Sequence, residues 1–253
     1  MTKAMKHQGR VAIITGAGSG IGRATAFALA RDNVAIVAVG RRVEPLEQLR
    51  NDLADTVPVA VVAADVTDDD APSRAAQTAI TDFGRLDYLV NNAGTPGTSS
   101  PIRADDFARM DEAFWAKLVS INQIGPYRCL KAAAPHLKKS KGAVVNVAST
   151  AGLGYGGSSS VYASTKAAII LLTTEWAHAM GPEVRVNAIA PNVVDGSGWD
   201  CRFDPDQLAQ YVSKLPLKRP GTPADYAETI FYLLAGAPYI TGQTIVMDGG
   251  GAR

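Results

Sequence analysis

The chain has 253 residues, 25 Lys or Arg against 24 Asp or Glu, and a net charge of +1 with no long run of either sign. A chain of this length can bury one substantial core, and its even charge balance lacks the basic footprint that nucleic acid or an anionic membrane surface requires. Cys129 and Cys201 fall at no metal or redox spacing, and no stretch reaches the roughly 18 apolar residues of a membrane span or the pattern of a signal peptide, so a cytoplasmic protein without metal, membrane or nucleic-acid partner is expected.

Val11-Ala12-Ile13-Ile14 is a short apolar run of the kind that fills a parallel strand buried on both faces. It passes directly into Thr15-Gly16-Ala17-Gly18-Ser19-Gly20-Ile21-Gly22, and helical character follows over residues 23–30. Strand, glycine loop and helix in that order suit a phosphate cradle. Missing side chains let the backbone approach a pyrophosphate, and a helix N-terminus points free amides at it. Gly16, Ser19, Gly20, Ile21 and Gly22 are the expected cofactor-binding positions, a ligand-free turn being the alternative. Their spacing differs from the common Gly-x-Gly-x-x-Gly fingerprint.

Val34-Ala35-Ile36-Val37-Ala38-Val39 predicts the second strand. An acidic residue about 20 positions past the glycines would hold the ribose 2′-hydroxyl of NAD and repel a 2′-phosphate; Gly40 stands there, followed by Arg41 and Arg42. A guanidinium matches a phosphate in charge and shape. NADP(H) is therefore favoured, with NAD(H) as the alternative, unless the arginines only border the helix expected over 44–53. A third strand over 57–62 leads to Asp65-Val66, a helix is expected over 71–83, and a fourth strand over 86–90 runs into Asn91-Asn92-Ala93-Gly94. Residues 95–101, rich in Thr, Ser, Gly and Pro, predict a loop, and helical patterns resume near Ala104.

Ala143-Val144-Val145-Asn146-Val147-Ala148 predicts a buried strand that delivers Ser149 at its end. After a small-residue loop, Tyr162 and Lys166 lie four apart on an apolar helix and so share one face. A free phenol keeps its proton to a pKa of about 10, and a neighbouring ammonium favours the phenolate. Serine, tyrosine and lysine together suit proton transfer to or from a substrate oxygen while hydride moves at the adjacent carbon. Alone, Tyr-x-x-x-Lys is a weak motif. Ser158, Ser159, Ser160 and Ser164 compete with Ser149 by residue type but lack its strand-end placement. Further strands are expected over 184–191 and 240–250, with a helix over 224–235. The alternation as a whole predicts an α/β fold: one doubly wound Rossmann-type parallel sheet of about seven strands, a single three-layer domain spanning 1–253.

Taken together, Thr15-Gly16-x-x-x-Gly20-Ile21-Gly22, Asn91-Asn92-Ala93-Gly94, Asn122-Gln123-Ile124-Gly125, Ser149-x-x-Gly152 and Tyr162-x-x-x-Lys166 resemble the short-chain dehydrogenase/reductase family, and the likeness runs from Gly9 to Gly250. The resemblance implies Asn122, Ser149, Tyr162 and Lys166 as the catalytic set, with Asn122 holding a water that links Lys166 to solvent. It places Asp65 and Val66 along the adenine, gives Asn92, Ala93 and Gly94 room for the cofactor, sets Tyr162 and Lys166 beside the nicotinamide ribose, and brings Pro191 and Val194 to the carboxamide. It further implies a substrate lid over about 193–215, a small-molecule carbonyl or alcohol substrate, and a homo-oligomer, commonly a tetramer. Two departures stand out. Ser19 occupies a position where many NADP-using relatives carry a basic residue, and Pro191-Asn192-Val193-Val194-Asp195-Gly196 replaces Pro-Gly-x-Val-x-Thr, which removes a hydroxyl that Ser197 could replace. Candidate substrates are 3-oxoacyl thioesters, sugars or polyols, and steroid or xenobiotic ketones. A nucleotide-binding regulator without catalysis is the reading from another class.

Overall fold

A computed structural model describes residues 9–196 and 204–251. Its centre is a seven-stranded sheet in the order β3-β2-β1-β4-β5-β6-β7, with every neighbouring pair parallel. The strands are β1 Val11–Thr15, β2 Ala35–Gly40, β3 Val59–Ala63, β4 Tyr88–Asn91, β5 Ala143–Val147, β6 Arg185–Pro191 and β7 Thr244–Met247. β1 and β4 are buried throughout, as their unbroken apolar runs demand, whereas the edge strands β3 and β7 are only partly covered.

Side chains alternate between the two faces. Ala12 and Ile14 join the helices α1 (Gly20–Ala30), α2 (Val43–Asp52) and α8 (Pro223–Phe231) in one core, through residues such as Leu29, Leu46 and Ile230. Val11 and Ile13 join α3 (Ala71–Phe83), α5 (Gly125–Ser140) and α6 (Ser160–Met180) in the other, through Ala79, Leu130 and Met180. The remaining helices are α4 (Glu112–Val119) and α7 (Pro205–Lys214). Among the described residues no helix is long and apolar enough to cross a membrane.

The chain steps from β1 outward to β2 and β3, then returns to place β4 on the other side of β1. This reversal opens a crevice beyond the carboxyl ends of the strands, the position where doubly wound sheets bind ligands. Two elements differ from the sequence expectation. The helix predicted from about Ala104 starts only at Glu112: the Arg103 guanidinium pairs with Asp105 through two hydrogen bonds of 3.0 and 2.9 Å, Asp106 accepts from the Arg109 amide, and Asp111 caps α4 by accepting from Phe114 N–H. These local side-chain bonds offer the backbone an alternative to the helix. The final strand keeps only Thr244–Met247 of the expected segment.

Candidate active site

β1 ends on Thr15, whose hydroxyl oxygen accepts from the Asn92 and Ala93 amides at 3.0 Å each and whose own proton goes to the Val90 carbonyl at 3.3 Å. Asn92 returns the contact, donating from Nδ2 to the Thr15 carbonyl at 2.9 Å and the Gly16 carbonyl at 3.2 Å. The glycine loop and the Asn-Asn-Ala-Gly turn are thus one hydrogen-bonded unit. Gly16 has φ +67° and Gly20 φ +53°, conformations that favour glycine. A Cβ on Gly22 would lie 2.3 Å from the Gly16 carbonyl oxygen, so the helix can approach the loop only without one. Ser19, at the N-cap of α1, makes no side-chain cap, so the first amides of the helix are left without that partner.

Above this unit lies a cleft of ≈ 620 Å³. Gly16, Ser19, Gly20, Ile21, Arg41, Arg42, Asp65, Val66, Asn92, Ala93, Gly94, Ser149, Tyr162, Lys166, Pro191 and Val194 all line it. Of the residues expected from sequence, Gly22 and Asn122 do not reach its wall: Gly22 serves the packing of the loop, and Asn122 lies buried behind it. The uncapped helix end, the glycine backbone and a cleft lined by Arg41 and Arg42 as well as by Tyr162 fit a dinucleotide.

Ser149, Tyr162 and Lys166 line the same cleft. β5 carries the chain to Ser149, which accepts from the Ala151 amide at 3.2 Å and lies 3.5 Å from the Pro191 carbonyl. Ser159 caps α6 by accepting from the Tyr162 amide at 3.0 Å, fixing the first turn of the helix that bears both Tyr162 and Lys166. The competing serines are engaged elsewhere: Ser158 with the Pro96 carbonyl, Ser160 with Met110 sulfur and Ser164 with the Val161 carbonyl. Lys166 Nζ is 5.8 Å from the centre of the Tyr162 ring and donates to the Val147 carbonyl at 2.8 Å. Both side chains are about 5 % exposed or less, and burial pushes the Lys166 ammonium down from 10.5 to about 8.

Asn122 sits in a π turn, Ser120–Ile124, inserted between α4 and α5. Such insertions recur at functional sites. Its Oδ1 accepts from the Thr95 amide at 2.8 Å, and its Nδ2 donates to the Thr95 carbonyl at 2.9 Å and to Thr165 Oγ1 at 3.2 Å. A Cβ on Gly94 would come within 3.3 Å of Asn122 Oδ1 and 3.4 Å of Lys166 Nζ, so the absence of a side chain there keeps open the space flanked by the two.

At the other end, Arg41 and Arg42 project from the exit of β2, and Arg41 Nε lies 3.9 Å from Asp65 Oδ2. Asp65 Oδ1 meanwhile accepts from the Thr67 amide and hydroxyl, at 2.9 Å each. Four residues escaped the sequence reading. Thr15 and Thr165 are polar anchors of the loop and of Asn122. Asn146 accepts from Asn91 Nδ2 at 2.9 Å and donates to Thr173 Oγ1 at 2.9 Å, tying β4, β5 and α6 together beneath the cleft. Tyr211 of α7 lines the cleft and bonds Asn192. Two of them had a signal in sequence, Thr15 by its place directly before Gly16 and Tyr211 by lying in the segment expected to form the lid. Ser197, Trp199, Cys201 and Phe203, from the region expected to form the lid, lie outside the described residues.

The profile of the family described as enoyl-(acyl carrier protein) reductase matches residues 16–251. The chain is 38 % identical over 244 residues to a putative ketoacyl reductase 2 of the granaticin polyketide synthase of Streptomyces violaceoruber, covering 95 % of each. It is 32 % identical over 251 residues to a 3-oxoacyl-(acyl-carrier-protein) reductase of Thermotoga maritima, covering 97 % of this chain and 99 % of that one. Among solved structures, NAD+-bound xylitol dehydrogenase superposes with a TM-score of 0.88 at 30 % identity, over 97 % of this chain and 100 % of the other. With these matches spanning nearly its whole length, the chain belongs to the short-chain dehydrogenase/reductase family, NAD(P)-dependent oxidoreductases that act on carbonyl and alcohol groups.

Proposed function

We propose that this enzyme reduces a ketone, or oxidises the corresponding secondary alcohol, by a Ser149-Tyr162-Lys166-Asn122 mechanism, with NADP(H) preferred. The observation that supports the reading is that Ser149, Tyr162 and Lys166 line the same cleft as the glycine loop. A nicotinamide dinucleotide, when bound, supplies or accepts the hydride. Gly16, Ser19, Gly20 and Ile21 would hold its pyrophosphate at the start of α1, Asp65 and Val66 its adenine, and Arg41 and Arg42 a 2′-phosphate. Asn92, Ala93 and Gly94 would border it, and Pro191 and Val194 would hold its carboxamide.

Ser149 keeps its oxygen on the Ala151 amide and would turn its proton from the Pro191 carbonyl, 3.5 Å away, to the substrate oxygen. Tyr162 gives its proton to that oxygen in reduction and takes it in oxidation. Lys166, while charged, favours the phenolate through its proximity to the ring. Asn122 fixes the Thr95 turn and the Thr165 face of α6, and with Lys166 flanks the space over Gly94 through which the proton is replaced.

For the substrate, the ketoacyl reductases among the relatives favour a 3-oxoacyl thioester, and the xylitol dehydrogenase makes a polyol the alternative. The proposal includes a cytoplasmic homotetramer, for which exposed Phe107, Trp115, Leu171 and Tyr239 supply apolar surface; sedimentation at micromolar concentration tests it. The activity is tested with a ketone and alcohol panel run with NADPH and NADH, followed at the reduced nicotinamide absorbance. Tyr162→Phe is expected to lower kcat by about 1,000-fold while cofactor Kd changes little. Ordinary turnover by that variant removes Tyr162 from the mechanism, and cofactor binding without turnover across the panel favours the regulator instead.

A further inference from the structure

Asn192 stands where the Pro-Gly-x-Val-x-Thr pattern that the chain resembles has glycine, and its side chain is put to use. The segment after β6 is held rigidly: the Asn192 amide donates to the Met247 carbonyl at 3.3 Å, the Val193 carbonyl accepts from the Gly221 amide at 3.1 Å and from the Tyr226 hydroxyl at 3.3 Å, and the Asp195 amide donates to the Gly221 carbonyl at 2.8 Å. From this fixed backbone Asn192 Nδ2 donates to the Tyr211 hydroxyl oxygen. Both side chains line the cleft, Asn192 at the same strand exit as Pro191, whose carbonyl faces Ser149, and Tyr211 on α7. α7 is itself seated, since Leu215 just beyond its end is buried and the Leu217 amide donates to the Gly249 carbonyl at 3.2 Å.

The direction of that hydrogen bond matters. The Tyr211 oxygen is already an acceptor, so the phenol's contribution to the cleft is its own proton, for which no described residue is an acceptor. A neutral donor of fixed orientation in the same cleft as the reacting centre recognises a neutral acceptor oxygen. Resting on the carbonyl-reductase reading above, we propose that Asn192 and Tyr211 form a substrate-orienting pair. Tyr211 donates to a second oxygen of the substrate, one other than the reacting carbonyl, and Asn192 is the positioning residue that aims it. The substrate class is therefore a ketone that carries a second neutral acceptor oxygen, such as a 3-oxo ester or thioester, rather than a simple ketone. A site built around such a donor discriminates against analogues that lack the acceptor, because the donor is then left unpaired.

The test compares ethyl 3-oxobutanoate with 2-heptanone, a ketone of matched chain length without the second oxygen. Tyr211→Phe is expected to lower kcat/KM for the oxo ester by about 5- to 10-fold and to leave that for 2-heptanone within about twofold. Asn192→Gly, which restores the family residue, is expected to raise KM for the oxo ester by about 3-fold, with kcat and cofactor Kd little changed. Equal losses on both substrates, or none on the oxo ester, overturn the pair. A wild-type enzyme that reduces neither ketone overturns the oxo-ester assignment, whereas cofactor binding without turnover of any ketone or alcohol across the panel overturns the carbonyl-reductase reading itself.

Discussion

The two ends of the cleft are built by opposite means. At the glycine loop the backbone is the binding surface, and side chains are excluded: Gly22 approaches the Gly16 carbonyl so closely that even a methyl group does not fit. At the exit of β6 side chains are the surface, with Asn192 and Tyr211 reaching across to each other from separate elements. The first end can bind only what an amide array and a helix terminus recognise, a phosphate common to many substrates' reactions. The second can change residue by residue without disturbing the sheet, and that is where specificity can vary.

Single substitutions at the two ends should therefore differ sharply in cost. Gly22→Ala sets a Cβ 2.3 Å from a backbone oxygen and 2.5 Å from Asn92 Nδ2, neither of which can yield without moving the loop. We expect a loss of ~3 kcal/mol or more in unfolding free energy, together with loss of cofactor binding. Asn192→Gly removes a side chain from a partly exposed position and should cost less than about 1 kcal/mol. Urea unfolding of both variants, read at constant m, checks the contrast; similar costs would break it.

Lys166 stands between the two ends and reports on burial. Its folded pKa of about 8 lies below its ordinary value of 10.5, so between these values the unfolded chain binds more protons than the folded one. Stability consequently rises with pH through that window, and the cost of burying the ammonium is fully present below about 8. Relative to Lys166→Met, the wild type should gain up to ~3 kcal/mol between pH 7 and pH 10.5. Paired urea titrations at pH 7, 9 and 10.5 measure the difference curve, and a flat curve would mean the ammonium is solvated.

Much of the backbone-built end was legible because sterics leave it few solutions. An apolar strand followed by Gly16, Gly20 and Gly22 admits little else, and the order of strands and helices follows from the same periodicity. Side-chain partnerships across distant elements left no local pattern. The Asn122 bonds to Thr95 and Thr165, and the Asn192 contact with Tyr211, join positions that share no periodicity, so residue types alone could not pair them. The late start of α4 has the same origin, since Arg103, Asp105, Asp106 and Asp111 spend charged side chains on local turns in a stretch whose composition also suits a helix.

The smallest expected effect lies at the far end of the cleft, where the two arginines are not equivalent. Arg41 faces Asp65 Oδ2 at 3.9 Å, so part of its charge is already answered, whereas Arg42 makes no ion pair among the described residues and sits at the start of α2 without a side-chain cap there. A 2′-phosphate at that position would meet both a guanidinium and the free amides of a helix N-terminus. Arg42→Ala should therefore weaken NADPH binding by about 5-fold, and Arg41→Ala by only about 2-fold, with NADH affinity unchanged in both. Because both side chains are exposed, the losses should shrink as salt is raised from 50 to 500 mM, the Debye length falling below about 5 Å. Fluorescence titrations with both cofactors decide the matter: equal effects on NADPH and NADH would place the arginines outside the ribose site and return them to the surface of α2.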